Sequence, residues 1–136
     1  MIQDYVATGK VKFEFRDMAF IGAESTAAAE ATDCAMDQGK FWPMHNTIYA
    51  NQHQENSGEF STARLEQMAQ LIGLNTGTFN SCLTSGKHAK DVQDSVNAGQ
   101  TAGVSSTPTI TVNGQVVTGG DSYATLKPAI DKALGQ

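Results

Sequence analysis

Cysteine and histidine are the side chains that act as nucleophiles, redox carriers or soft-metal ligands near neutral pH. The chain holds two cysteines and three histidines. Cys34 and Cys82 stand 48 positions apart. That separation suits neither zinc nor an iron–sulfur cluster, which gather thiolates at short spacings and usually use more than two. No Cys-x-x-Cys occurs anywhere. His45, His53 and His88 lack an Asp, Glu or Cys neighbour at a spacing that makes a recognisable site, so all three are expected on helix surfaces or in loops. Gly58, Gly77 and Gly119-Gly120 are followed by no Lys-Ser/Thr, and they read as turns and caps rather than a phosphate loop. On these letters no catalytic residue, metal ligand or cofactor is expected.

The elements that would position any site divide by hydrophobic period. From Lys10 to Asp17, Val11, Phe13 and Phe15 alternate with Lys12, Glu14 and Arg16, which predicts a strand with one buried face. Ahead of it, residues 2–8 end at Gly9 and read as the last turns of a helix. Five helices follow, punctuated by glycine. The first runs from Glu24 or Ser25 to Gln38, the second from Phe41 to Asn51, and the third begins at the cap residue Ser61 with Leu65, Met68, Ala69 and Ile72 on one face. Asn75 to Ser85 and Lys87 to Gln100 complete the block. Cys34 shares a helix face with Ala27, Ala31 and Gln38, and Cys82 lies one turn after Phe79, so free thiols there would pack as small hydrophobes. The stripe of Phe41, Trp42, Ile48 and Tyr49 on the second helix is expected in the core.

Strands return at the C-terminal end. Thr109–Val112 and Gln115–Thr118 flank Asn113-Gly114, a strong two-residue hairpin signal, and a helix from Ser122 to Leu134 places Leu126, Ile130 and Leu134 on one face. Pro108, directly before the first of these strands, removes a ladder donor where sheet stability alone would not choose it. The net charge of −5, with nine scattered basic residues, argues against a nucleic-acid surface. No apolar run reaches the roughly 18 residues of a membrane helix, and MIQDYVATGK lacks the basic-then-apolar pattern of a signal peptide.

The order strand, helical block, Gly-Val-x-x-Thr-Pro-Thr turn, hairpin and terminal helix resembles the thioredoxin fold, in the version with an inserted helical domain that marks the DsbA-like thiol–disulfide oxidoreductases. KVKFEFRDMAFIGAES, AAEATDCAMDQGKFWPMHNTIYANQ, FNSCLTSGK and GVSSTPTITVNGQVVTGG carry the resemblance, which covers essentially the whole chain. It implies an α/β thioredoxin-like fold with an inserted all-helical block, residues 1–24 and 103–136 forming the core of a single domain and 25–102 the insertion. It also implies a cis Thr107–Pro108 bond, with Ser106, Thr107 and Pro108 binding an extended substrate chain. A structural disulfide between Cys34 and Cys82 is the pairing the resemblance suggests, with buried free thiols as the alternative.

The family's Cys-x-x-Cys, at the start of its first helix, and the strand before that helix would lie ahead of Ile2. Without that strand, two sheet edges face a gap, and the chain is expected to close it, to form a strand-paired homodimer or to aggregate. The implied function is disulfide formation or exchange in extracytoplasmic proteins, with cysteine-containing polypeptides as substrates and a redox partner protein, and with no activity in these 136 residues alone. The competing reading is a non-catalytic peptide-binding or chaperone-like module. Neither nucleic acid nor a membrane is an expected partner.

Overall fold

The computed structural model describes residues 1–136, which divide into two compact units: residues 1–16 with 100–136, and residues 17–99. Each is described by itself.

The helical unit contains α1 (Ala23–Met36), α2 (Phe41–Ala50), α3 (Thr62–Leu71), α4 (Thr76–Thr84) and nearly all of α5 (Ala89–Thr101). Its boundary falls at residue 17 rather than near 25 because side chains of the helices hold the segment ahead of α1. Ser95 Oγ donates to the Asp17 carbonyl at 2.9 Å, and the Glu24 carboxylate accepts from the backbone N–H of Gly58 at 2.6 Å and of Phe60 at 3.4 Å. Glu24 thus lies inside α1, whose N-cap position is Gly22.

Local signals set the helix ends. Gly39 and Gly73 adopt φ of +71° and +73°, the left-handed conformation that ends a helix at least cost for glycine. Asn75 caps α4 by accepting from the Thr78 N–H at 2.9 Å. Ser61 occupies the N-cap of α3, but its hydroxyl accepts no capping bond. The other end of α3 is closed by Lys40, whose ammonium donates to the carbonyls of Ile72 at 2.7 Å and Gly73 at 3.0 Å, a cation set against the negative end of a helix dipole. The core packs Ala31, Cys34 and Ala35 of α1 against Met44 and Ile48 of α2, Leu65 and Met68 of α3, and Phe79 and Cys82 of α4. The run of alanines in α1 allows three helices to approach it closely.

The aromatic stripe of α2 departs from the expected core placement. Ile48 is buried, but Trp42 and Tyr49 are 43% and 58% exposed. Met44 and Ile48, four residues apart, define the buried face. Phe41, His45 and Tyr49 repeat the same spacing on a different face, with ring centroids 6.0 and 4.6 Å apart.

The second unit contains a wide helical turn at Ile2–Val6, β1 (Thr111–Val112), β2 (Gln115–Val116) and α6 (Tyr123–Ala133). Asn113 and Gly114, at φ of +50° and +80°, form the type I′ turn their sequence predicts, in register Thr111↔Val116 and Val112↔Gln115. The Val117 N–H extends the pairing to the Ile110 carbonyl at 2.9 Å. Tyr5, Leu126 and Ile130 form the core, with Val11, Ile110, Val112 and Val117 packed around them. Tyr5 donates its hydroxyl to Asp131, which also takes Lys127 at 2.6 Å.

The strand expected at Lys10–Asp17 does not form. The segment is extended enough for Glu14 to pair with both Lys12 and Arg16, at 3.2 and 2.5 Å, as alternation on one side requires. Val11 also reaches the core. Yet the only ladder in the structure joins β1 to β2. Period-two patterning specifies which face is buried, whereas a strand also needs a neighbour to accept its N–H and C=O groups.

Candidate functional site

Two places in the fold collect the chemistry. The first is the turn leading into β1. The Thr107–Pro108 peptide is cis, and Ser106, Thr107 and Pro108 are all exposed. Thr109 Oγ1 donates to the Ser106 carbonyl at 2.6 Å and secures the turn from within. Neither the N–H nor the C=O of Thr107 makes a hydrogen bond inside the chain. Because Ile110 pairs with Val117, the antiparallel alternation directs the backbone groups of Ile110 and Val112 toward β2 and those of Thr109 and Thr111 to the opposite side. No strand covers that side. An exposed, unpaired backbone edge is a template for adding an extended chain.

The second place is the Cys34–Cys82 disulfide, which ties α1 to α4 with 5.8 Å between the Cα atoms. Both cysteines are used in it, and no free thiol remains. Cys34 is 1% exposed and Cys82 8%. Around it lies a polar group that the linear sequence did not disclose. His88, expected at a surface or in a loop, is 8% exposed just ahead of α5, with Nε2 3.0 Å from Asp37 Oδ2 and Nδ1 3.0 Å from Asp91 Oδ2. Lys87 Nζ lies 2.7 Å from the same Asp37 oxygen, and Cys82 Sγ is 3.8 Å from it.

Electrostatics at this cluster favour a charged imidazole. Burial alone would lower the His88 pKa, but its hydrogen bonds to Asp91 and Asp37, with the charges of Asp37 and Asp33, outweigh that and raise it. The Lys87 and His88 hydrogen bonds hold the Asp37 carboxyl below its ordinary range. Buried Asp33 is pushed up to about 6, first by desolvation and then by the nearby Asp17 charge. The sequence offers only local proximity, with Asp37 three positions after Cys34 and Asp91 three after His88, a spacing common on any helix and distinctive of no site. What brings the pairs together is the packing of α4 on α1.

His45 and His53 are exposed or half-buried, as the sequence suggests. The sequence scatters Cys34, Cys82 and His88, but the fold gathers their ligand atoms within 4.8 Å of one another. Gly58, Gly77 and Gly119 lie in or beside turns and helix starts. No helix is long and apolar enough to cross a membrane.

A hairpin and terminal helix forming one unit, a five-helix block forming the other, and a Thr-Pro turn with an open backbone edge together define the thioredoxin class of scaffold with a helical insertion. The thioredoxin family model matches residues 1–132, and the chain belongs to that family. Over 107 residues it is 34% identical to Na(+)/H(+) antiporter NhaA 1 of Salinispora arenicola, covering 79% of this chain and 16% of that protein. It is 28% identical to the probable disulfide bond formation protein D of Bacillus cereus, covering 97% of this chain and 62% of that protein. The crystal structure of oxidised BdbD from Bacillus subtilis matches with a TM-score of 0.88 at 26% identity, covering 99% of this chain and 75% of that one. The chain therefore spans less than two thirds of the length of these curated relatives.

Proposed function

We propose that this chain is the substrate-docking scaffold of a thiol–disulfide oxidoreductase that forms or exchanges disulfides in extracytoplasmic polypeptides, and that it does not exchange dithiols by itself. The observation that carries the reading is the exposed turn at Ser106–Pro108, with the unpaired backbone of Thr107 beside the open side of β1. An extended substrate pairs its own backbone with Thr107 by strand addition, and Ser106 and Pro108 shape the approach. Main-chain pairing ignores side-chain identity, which suits a protein acting on many sequences.

The chemistry follows the family resemblance. A substrate thiolate attacks a Cys-x-x-Cys disulfide, forming a mixed disulfide and releasing one enzyme thiolate. A second substrate thiolate then displaces the enzyme sulfur, so the substrate is oxidised and the dithiol reduced, and a redox partner protein restores the disulfide. This sequence holds no Cys-x-x-Cys, and Cys34 and Cys82 are already joined to each other inside the helical unit. Their bond serves here as a structural tie. The names of the Bacillus relatives, disulfide bond formation protein D, agree with this reading.

The absence of a Cys-x-x-Cys from these residues also favours a second reading, a peptide-binding or chaperone-like module without redox chemistry. Insulin reduction and dithiol oxidation by the 136-residue chain, beside a version carrying an upstream strand and Cys-x-x-Cys, separate the two. Activity confined to the extended version establishes the oxidoreductase. Inactivity of both establishes the binding module, and activity of the short chain refutes the structural role of its disulfide.

A further inference from the structure

The disulfide of the helical unit has an unusual neighbour for a purely structural bond: a buried imidazole whose two nitrogens are both held by carboxylates. We propose that reduction of Cys34–Cys82 by an external dithiol opens a tetrahedral site for a soft divalent cation of the zinc class, with Cys34 Sγ, Cys82 Sγ, His88 Nε2 and the Asp37 carboxylate as ligands. The inference is independent of the docking turn and of the Cys-x-x-Cys chemistry.

The donor set is one that zinc prefers, with two thiolates, an imidazole and a carboxylate. The distances also suit it. Bonds of about 2.3 Å to sulfur and about 2.0–2.2 Å to nitrogen or oxygen, at tetrahedral angles, place neighbouring ligand atoms about 3.3–3.8 Å apart. Cys82 Sγ and Asp37 Oδ2 are already 3.8 Å apart, and His88 Nε2 is 3.0 Å from the same oxygen. Ligand atoms of Cys34, Cys82 and His88 all fall within 4.8 Å of one another. Rotation of the freed sulfurs about their Cα–Cβ bonds is the movement that remains.

Groups around the ligands complete the design. Asp91 holds His88 Nδ1 at 3.0 Å and keeps a proton on that nitrogen, so that loss of the Nε2 proton offers the Nε2 lone pair to the cation, as a carboxylate behind a metal-bound histidine does. Two thiolates and a carboxylate outweigh a divalent cation by one negative charge, and the Lys87 ammonium on Asp37 offsets it. A surface depression lined by Asp37, Gly77, Thr78, Cys82 and Lys87 supplies the entry path.

The steps balance. The dithiol gives two electrons and two protons to the Cys34–Cys82 bond and becomes a disulfide, leaving two thiols on the protein. Cation binding then releases both thiol protons, with any proton on His88 Nε2, to solvent. An external disulfide that takes two electrons from the two thiolates, and leaves as a dithiol, re-forms the Cys34–Cys82 bond and expels the cation. The site is therefore loaded only in the reduced protein.

The test is an anaerobic titration of the full chain with Co(II), whose tetrahedral thiolate complexes are coloured. A phosphine reductant avoids competing thiols, and circular dichroism follows folding. The reduced chain is expected to bind one cobalt with intense visible bands and a thiolate-to-cobalt charge-transfer band, both bleached by zinc. The oxidised chain is expected to show neither. Cys34→Ser and His88→Ala should lose the spectrum, and Asp91→Asn should keep it with affinity about 10–100-fold weaker. The proposal is overturned by weak octahedral bands alone in the reduced chain, by the same spectrum in the oxidised chain, or by unchanged affinity in His88→Ala. It is equally overturned if the reduced chain loses its helical signal and cobalt does not restore it. Because oxidised and reduced protein share one sequence, the central comparison stands even where a variant fails to fold.

Discussion

Reducing the Cys34–Cys82 bond, with a chelator present to exclude metal, should cost the helical unit a predictable share of its stability. Joining two residues 48 positions apart removes loop-closure entropy from the unfolded chain, and the chain-entropy relation gives about 4 kcal/mol for that length. A second contribution acts in the folded state. Cys34 is 1% exposed and packs with Ala31, Met44 and Phe79, so a thiol replacing half of a disulfide leaves the surrounding contacts almost intact. The loss on reduction is therefore mainly the unfolded-state contribution. With an unfolding entropy of about 2.1 cal/mol/K per residue, residues 17–99 carry about 0.17 kcal/mol/K, and 4 kcal/mol corresponds to a fall in Tm of about 23 °C. In urea, a slope of about 1.5–2 kcal/mol/M moves the midpoint down by about 2–3 M. The slope itself should steepen on reduction, because the uncrosslinked chain exposes more surface when unfolded. Urea titrations of oxidised and reduced protein, followed by circular dichroism, read all three quantities. Cys34→Ala/Cys82→Ala should match the reduced protein or fall about 1 kcal/mol lower through lost packing. A midpoint shift under about 0.5 M on reduction, alongside a large loss in the double alanine variant, would show that packing rather than loop closure is what the bond contributes, and would refute the reasoning.

Two further outcomes concern the other unit. Without a neighbour for the open side of β1, two copies of the chain should pair there, seen as a concentration-dependent dimer in sedimentation velocity and dispersed by Thr111→Pro, which removes an N–H from that side; a monomer at all concentrations contradicts it. Asp131, held below the ordinary carboxylate range by Lys127 and then by Tyr5, adds stability that is fully present above the unfolded value of about 3.9 and fades as pH falls through its lower folded value. Asp131→Asn should therefore lower Tm more at pH 7 than near pH 2. An equal loss at both pH values would assign the effect to packing.

The amino-acid sequence alone determined what depends on a few neighbouring residues. Glycines able to take positive φ at 39 and 73, the Asn75 cap and the Asn113-Gly114 turn stated their own positions, because each acts over one turn of backbone. The family's residues around Thr107-Pro108 likewise announced the cis turn in linear order. Tertiary structure decided everything that needed a partner from far away. The alternating residues of Lys10–Asp17 remained extended but not a strand, since a ladder requires a second chain segment to receive it. Trp42 and Tyr49 turned outward because α2 has one buried face, and Met44 and Ile48 occupy it. Most of all, Cys34, Cys82 and His88 carry no recognisable spacing, and only the packing of α1 on α4 brings them within 4.8 Å. Chemistry at short sequence separation is written in backbone geometry, but chemistry assembled across helices is set by which hydrophobic faces meet.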